Sequence, residues 1–290
     1  RDVQSPRKVE SSFGFLHVRF AQLSRRFRAN SPLTLSIAVG TAILVFLGCM
    51  GCVGSMGNTP AITQISLTFG FAVMIAIQAV GHISGAHINP AITVAALVLG
   101  DKSFLMSILY VVAQCFGAIL GFGLLKALTP STLLNAGSPE TTESFCTTDL
   151  HREINVAQGF FAEAIATGIL AIFACGAWDA RNERKSDSLG IRFAFCVAAL
   201  CFTFIPYTGC SLNPARSLGP AMWNGYWTHH WIYWLGPIFG AAIASLFYRC
   251  FFSPRSKRTN RTESMQDPIS QRGRTSERDK PREIVNDRKE

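Results

Sequence analysis

The sequence predicts an all-α membrane protein: six transmembrane helices and two re-entrant half-helices, arranged as an inverted repeat. Three observations carry this. Six apolar runs, roughly 33–53, 63–83, 104–128, 156–178, 189–207 and 231–252, are each long enough to cross a bilayer, which takes about 20 apolar residues. They barely show the polar face of a soluble core helix. The tripeptide Asn-Pro-Ala occurs twice in Gly-rich apolar surroundings, in Gly81-His-Ile-Ser-Gly-Ala-His-Ile-Asn-Pro-Ala91 and in Tyr207-Thr-Gly-Cys-Ser-Leu-Asn-Pro-Ala-Arg-Ser217. Each copy sits about midway through one half of the apolar region, as an internal repeat would place it.

The charge distribution agrees. The chain has 290 residues and a net charge of +9, but the positive charge is not spread as a nucleic-acid surface would need. Seven Lys or Arg precede the first run and twelve stand at or after Arg249. The linker between runs four and five adds Arg181, Arg184 and Lys185, whereas the linkers after runs one, three and five hold only Lys126 and Arg152, with Arg216 inside the second repeat. The positive-inside rule puts both termini in the cytoplasm, with an even number of spans. The basic tails then read as topological determinants touching anionic lipid. The first apolar run is too long for a signal peptide and lacks a cleavage site. The chain opens with Arg rather than Met, as a fragment would.

In chain order, residues 1–31 form a basic tail with an amphipathic piece over 13–27. A channel domain spans 32–253, with repeat one at 32–128 and repeat two at 156–253, and residues 254–290 form a polar tail too charged to fold alone. Span one ends in a Gly-rich outer turn through Asn58-Thr-Pro60. Span two runs into the first Asn-Pro-Ala box. The ten residues Pro90 to Leu99 are too few to cross and read as re-entrant, with Asn89 as N-cap and Pro90 in the first turn. Span three carries Gly117-Ala-Ile-Leu-Gly121, a pattern that lets helices approach closely. Residues 129–155 are the longest outer connection. Span four includes Glu163, span five leads into the second box and a second half-helix to Trp223, and span six holds Gly236-Pro-Ile-Phe-Gly240. Three spans per half force the second half to enter the membrane inverted, as in many transport proteins.

Loose backbone at membrane depth is tolerated where it lines water or is buried in protein. Inversion brings the two half-helix N-termini together near the midplane, each carrying about half a positive charge. Cations, a hydrated proton included, are disfavoured there. The amides of Asn89 and Asn213 donate into the lumen while their oxygens cap the helices. The residues before them, Gly85, Ala86 and His87 in one half and Gly209, Cys210 and Ser211 in the other, present carbonyls to water. Arg216 is the one charge inside the apolar part of either box, and an intramembrane ionisable group is functional by default.

The phrases SGAHINPA and GCSLNPARS, over about residues 32–253, resemble the aquaporin (major intrinsic protein) family. The resemblance implies an hourglass pore per subunit, a homotetramer in the plasma membrane, the pore motifs Asn89-Pro90-Ala91 and Asn213-Pro214-Ala215, and an outer filter of Phe69, Cys201, Cys210 and Arg216. It implies a buried structural acid at Glu163, whose counterpart in span one is missing and replaced by Ile37. Strict water channels of the family usually have His where Cys201 stands, so a wider, more amphipathic filter admitting glycerol and urea is expected, unless Phe202 or Phe204 fills the gap. Ser217, in place of the Asp of glycerol channels, Ala221 and Tyr233-Trp234 resemble the water-channel branch. Some insect channels similar to this chain combine these features and pass polyols.

The remaining residues read plainly. His82 is expected in the core, and no Cys/His cluster suggests a metal. Seven of the nine Cys lie in or at the ends of apolar runs and behave as small hydrophobes, while Cys146 stands alone in a connection and Cys210 in the second box. No cofactor and no catalysis are expected. The Asn260-Arg-Thr262 sequon falls on the inner side, and Thr259, Ser264, Thr275 and Ser276 fit basic phosphorylation patterns. The reading is a passive channel for water and small uncharged solutes in a lipid bilayer. Its rivals are a strict water channel, a junctional protein on the same scaffold, and an ion-coupled transporter.

Overall fold

The computed structural model describes residues 31–53, 60–134 and 145–253. Among the described residues there is helix and connection but no strand. In chain order these are α1 (Ser31–Met50), α2 (Ile62–Ser84), the half-helix α3 (Pro90–Leu99), α4 (Phe104–Leu128), the single turn α5 (Ser131–Leu134), α6 (Val156–Trp178), a 3-10 helix (Ala180–Ser188), α7 (Leu189–Thr208), the half-helix α8 (Pro214–Asn224) and α9 (Ile232–Phe251). Six of them are long and apolar enough to cross a membrane, and they coincide with the six apolar runs. A second compact unit begins at Phe252, of which two residues are described. The amphipathic piece, most of both tails, Asn58-Thr59, the sequon and the tail Ser and Thr positions lie outside the described residues.

Helix ends follow local chemistry. Ser103 caps α4 by accepting from the Met106 N–H. Asn155 and Gln158 form a reciprocal capping box at the start of α6, which satisfies two otherwise orphaned backbone donors. Span two ends at Gly85, with φ of 80°, and span five at Gly209, with φ of 74°. Both take the left-handed turn that stops a helix and favours a residue without Cβ.

The two halves are internally close-packed by equivalent devices. A Cβ at Gly117 or Gly121 would stand 2.2 or 2.4 Å from the carbonyl oxygens of Ala38 and Ala42 on α1. A Cβ at Gly240 on α9 would stand 1.9 Å from the Ala164 carbonyl oxygen on α6. Backbones this near gain dispersion contacts that larger side chains would forbid. The halves also interlock: α3 packs on α9 and α6 of the other half, α8 packs on α4, and α2 on α7.

The outer face of the bundle is apolar. Val112, Phe116, Leu120 and Leu124 on α4, Ile165 and Ile169 on α6, and Leu235, Phe239 and Ile243 on α9 are all exposed at helical spacing. Hydrocarbon is the solvent that suits such a surface, and its extent marks an integral membrane protein.

The described end of the long connection over 129–155 is folded onto the second half. The Asn224 amide donates to the Phe145 carbonyl at 2.9 Å, the Thr148 hydroxyl to Ser217 Oγ at 2.9 Å, and the His151 N–H to the Tyr207 carbonyl at 2.9 Å. At the opposite end, Asp179 follows α6 and accepts from Arg181 Nε at 2.8 Å and from the Tyr248 hydroxyl at 3.0 Å. The Arg181 guanidinium, helped by its backbone N–H and by Tyr248, holds the Asp179 carboxyl well below the usual range against the opposing effect of burial. His82 corrects the expectation of a core histidine. It is exposed in the last turn of α2, where a basic side chain suits the helix C-terminus.

Candidate pore

Both half-helices start from one local design. Asn89 has φ −152° and ψ 120°, Asn213 φ −151° and ψ 106°, and each precedes a Pro in the first helical turn. Extended backbone at the cap leaves the side-chain oxygen free to accept from the helix N-terminus. Asn89 Oδ1 accepts from the Ala91 N–H at 2.9 Å, and Asn213 Oδ1 from those of Ala215 at 3.0 Å and Arg216 at 3.3 Å.

The amide nitrogens depart from the expected lumen-directed role. Asn89 Nδ2 donates to the Leu212 carbonyl at 2.7 Å, and Asn213 Nδ2 to the Ile88 carbonyl at 2.9 Å. One hydrogen of each amide thus crosses to the other half, because the buried carbonyls there need a donor. The second hydrogen of each remains for the lumen.

A cavity of about 780 Å³, counting space open to solvent, runs past both caps. Phe69, Cys201, Cys210 and Arg216 are all on its wall, together with Asn89, Asn213, Gly85, Ala86 and Ser211. Leu44, Val73, Ile77, Leu170, Phe193 and Val197 make much of the rest of the wall apolar. The Arg216 guanidinium carbon lies 4.7 Å from the centre of the Phe69 ring, a cation–π distance. Neither Phe202 nor Phe204 reaches the wall; Phe202 is exposed on the outside of α7, and the Phe204 ring lies tilted against Tyr207, 6.3 Å between centroids.

One expected carbonyl position is corrected: His87 is not on the cavity wall, where Ile88 and Leu212 stand beside Gly85, Ala86, Cys210 and Ser211. The His87 carbonyl accepts from Gln114 Nε2. Its ring stacks on Trp178 at 5.1 Å and meets Tyr110 edge-on at 5.6 Å. A buried carbonyl takes whichever donor is nearest, and a side-chain amide on α4 is nearer than the lumen.

Glu163 organises the second loop. Its carboxylate accepts from the Ser211 N–H at 2.8 Å, the Leu212 N–H at 2.9 Å and the Thr208 hydroxyl at 2.6 Å. Cys210 and Leu212 both have φ of 54°, a backbone turn that hydrogen bonds to a charged acceptor help to hold. The first loop uses a different chemistry. Ile37, expected in the place of the missing acid, is buried and packs with Tyr110 and Ala113. Donors on α4 act instead: Gln114 donates to the His87 carbonyl and to the Thr93 hydroxyl oxygen on α3 (2.8 Å), and the Tyr110 hydroxyl donates to the Ser84 carbonyl (3.1 Å).

Arg216 finds no carboxylate partner among the described residues. Its guanidinium donates to the Cys146 carbonyl at 2.8 Å and approaches the Cys146 sulfur at 3.7 Å. Ser217 joins a hydroxyl chain, donating to Ser211 Oγ at 2.7 Å while accepting from Thr148. Gln114, Trp178 and Cys146 were not singled out from sequence as site residues. A lone carboxamide inside an apolar run was the signal for Gln114; Trp178 and Cys146 gave none. No group of His, Cys, Asp and Glu suited to a metal occurs among the described residues.

Residues 28–248 match the family model described as Major intrinsic protein. Aquaporin-2 of Bos taurus is 38% identical over 234 residues, which are 79% of this chain and 82% of that relative. Aquaporin-4 of Homo sapiens is 40% identical over 148 residues, 51% of this chain; there the chain spans 43% of the relative's length. The X-ray structure of the aquaglyceroporin from Plasmodium falciparum superposes with a TM-score of 0.69 at 24% identity, covering 76% of this chain and 95% of that one. At this identity the likeness is one of fold.

Proposed function

The chain belongs to the major intrinsic protein family, and from that premise we propose that it is a passive channel for water and small uncharged solutes, glycerol and urea among them, closed to protons and ions. The observation that carries the solute range is the wall at position 201. Cys201 lies beside Cys210 in a cavity whose polar edge is Arg216 and whose aromatic edge is Phe69, and neither neighbouring Phe closes the space. Such a constriction offers a carbon backbone an apolar side and its hydroxyls a donor.

A permeant sheds part of its hydration at the filter. Arg216, the free amide hydrogens of Asn89 and Asn213, and the carbonyls of Gly85, Ala86, Cys210 and Ser211 replace those hydrogen bonds. The guanidinium repels cations at the mouth, and the two capped helix N-termini repel them at the centre. Transport is then down a gradient, with no cofactor and no catalytic step.

The fold neighbour is an aquaglyceroporin and the sequence relatives are aquaporins, so the scaffold is compatible with broad and narrow cargo. Ser217 favours the narrow reading, because its buried hydroxyl stands where glycerol channels of the family carry Asp. A homotetramer in the plasma membrane, with both termini cytoplasmic, completes the proposal; the clustering of Lys and Arg supports the orientation.

Swelling of vesicles holding the wild type is expected in water, isotonic glycerol and isotonic urea. Cys201→His is expected to cut glycerol and urea flux much more than water flux. Wild-type vesicles that swell in water but not in glycerol would overturn the broad reading.

A further inference from the structure

Cys52 lies just beyond the end of α1, and Cys146 lies 94 residues later in the outer connection. The fold brings their sulfurs to 3.5 Å, both as free thiols. Cys49 is one turn earlier on α1 and fully buried. Two further facts distinguish this pair from packed apolar cysteines. Cys146 holds φ of 56°, an uncommon conformation for a residue with a Cβ. It is also the anchor of Arg216, through its carbonyl at 2.8 Å and its sulfur at 3.7 Å.

We propose that Cys52 and Cys146 form a redox couple at the outer mouth, closing to a disulfide under hydrogen peroxide and changing how Arg216 is held in the filter. The proposal rests on the channel reading and on the orientation given above, which put this mouth on the oxidising side.

Cys146 is the attacking group. Burial opposes its ionisation, but donation from the Cys49 and Cys52 thiols and the adjacent Arg216 charge bring its pKa well below the ordinary thiol value. A thiolate beside a guanidinium is the reactive form of cysteine. Its sulfur attacks one peroxide oxygen, the O–O bond breaks, and a sulfenic acid and hydroxide result. The hydroxide takes the Cys52 proton and becomes water. The Cys52 thiolate then attacks the Cys146 sulfur, the S–S bond forms and the S–O bond breaks, and the sulfenic hydroxyl leaves as hydroxide, which recovers from solvent the proton Cys146 released on ionising and becomes a second water. Two thiols lose two electrons, and one peroxide gains them.

Closure draws the Cys146 sulfur toward Cys52 and off Arg216. The guanidinium keeps the carbonyl but loses its second contact, and the freed N–H turns to the lumen. Water flux is expected to fall several-fold.

The test uses the full chain in proteoliposomes, treated with hydrogen peroxide and then with dithiothreitol. Non-reducing peptide mapping reads the bond, and stopped-flow light scattering reads water permeability. The expected result is a Cys52–Cys146 linked peptide with a several-fold loss of flux that dithiothreitol restores. Cys52→Ser should abolish both effects, and Cys49→Ser should retain both. Absence of the link, a Cys49–Cys146 link in its place, or a link without change in flux would each overturn the proposal. The peptide map of the wild type decides even if a variant fails to fold. Untreated protein that conducts no water would instead refute the channel reading.

Discussion

Replacing Glu163 by Gln asks whether the second re-entrant loop hangs on a single carboxylate. One oxygen accepts from Ser211 and Thr208, and the other from Leu212. A carboxamide keeps one oxygen, which can serve Ser211 and Thr208 as before. Its NH₂ then faces the Leu212 N–H, leaving that buried donor unsatisfied at a cost of about 1–3 kcal/mol. The two surviving bonds lose their charged acceptor, which weakens each by roughly 1 kcal/mol. Relief from burying a charge offsets part of this, so the loop should loosen by about 2–3 kcal/mol. That corresponds to roughly 30- to 140-fold faster opening-limited hydrogen exchange at 1.4 kcal/mol per decade. Hydrogen–deuterium exchange with mass spectrometry, in nanodiscs, is the assay. Exchange should rise in the segment carrying Ser211 and Leu212 and stay unchanged in the segment carrying Ala86 and His87, which Glu163 does not touch. Unchanged protection in the second loop, or equal loosening of both, would refute the reasoning.

Two further outcomes follow from the packing and from the connection after α6. Gly240→Ala drives a Cβ to within 1.9 Å of the Ala164 carbonyl oxygen, so α6 and α9 must part, at about 1–3 kcal/mol of overpacking. Its thermal midpoint in detergent should drop, while Gly176→Ala, which meets nothing within 4 Å, should not lower it. Asp179 has a depressed carboxyl pKa, set first by its bonds from Arg181. Its contribution to stability is therefore present above the ordinary carboxylate range and lost as pH falls through the lowered value. The stability difference between wild type and Asp179→Asn should stay flat from neutral pH down to about pH 5 and shrink in stronger acid; a difference that grows on acidification would contradict it.

How much of this was legible in the sequence follows from the range of the forces involved. The spans and both Asn caps were legible because they depend on neighbours within one or two turns. Arg216, Phe69 and Cys201 reached the same cavity because the motif spacing carries their register. Glu163 was found through resemblance, and its donors agree with the role. Most of the departures share one cause. The destinations of the Asn89 and Asn213 amides, the donor on the His87 carbonyl and the neighbour of Cys146 are all set across the two halves or between distant segments, where spacing along the chain says nothing. His82 departs for another reason: it lies within an apolar run, but its position in the last turn of α2 faces outward. Ile37 left a gap in the first half that only the placement of Gln114 and Tyr110 explains.

The paired bonds at the centre bear on the kind of machine this fold can be. An alternating-access carrier works by rocking one repeat against the other around a fixed site. Here the caps themselves are stitched across that boundary, Asn89 to Leu212 and Asn213 to Ile88. Each stroke of a rocking cycle would tear two buried hydrogen bonds and drag α3 away from α9. The cheaper course is to stay still, which fits the passive channel proposed above, a passage with no stroke to couple to an ion and a flow directed by the gradient alone.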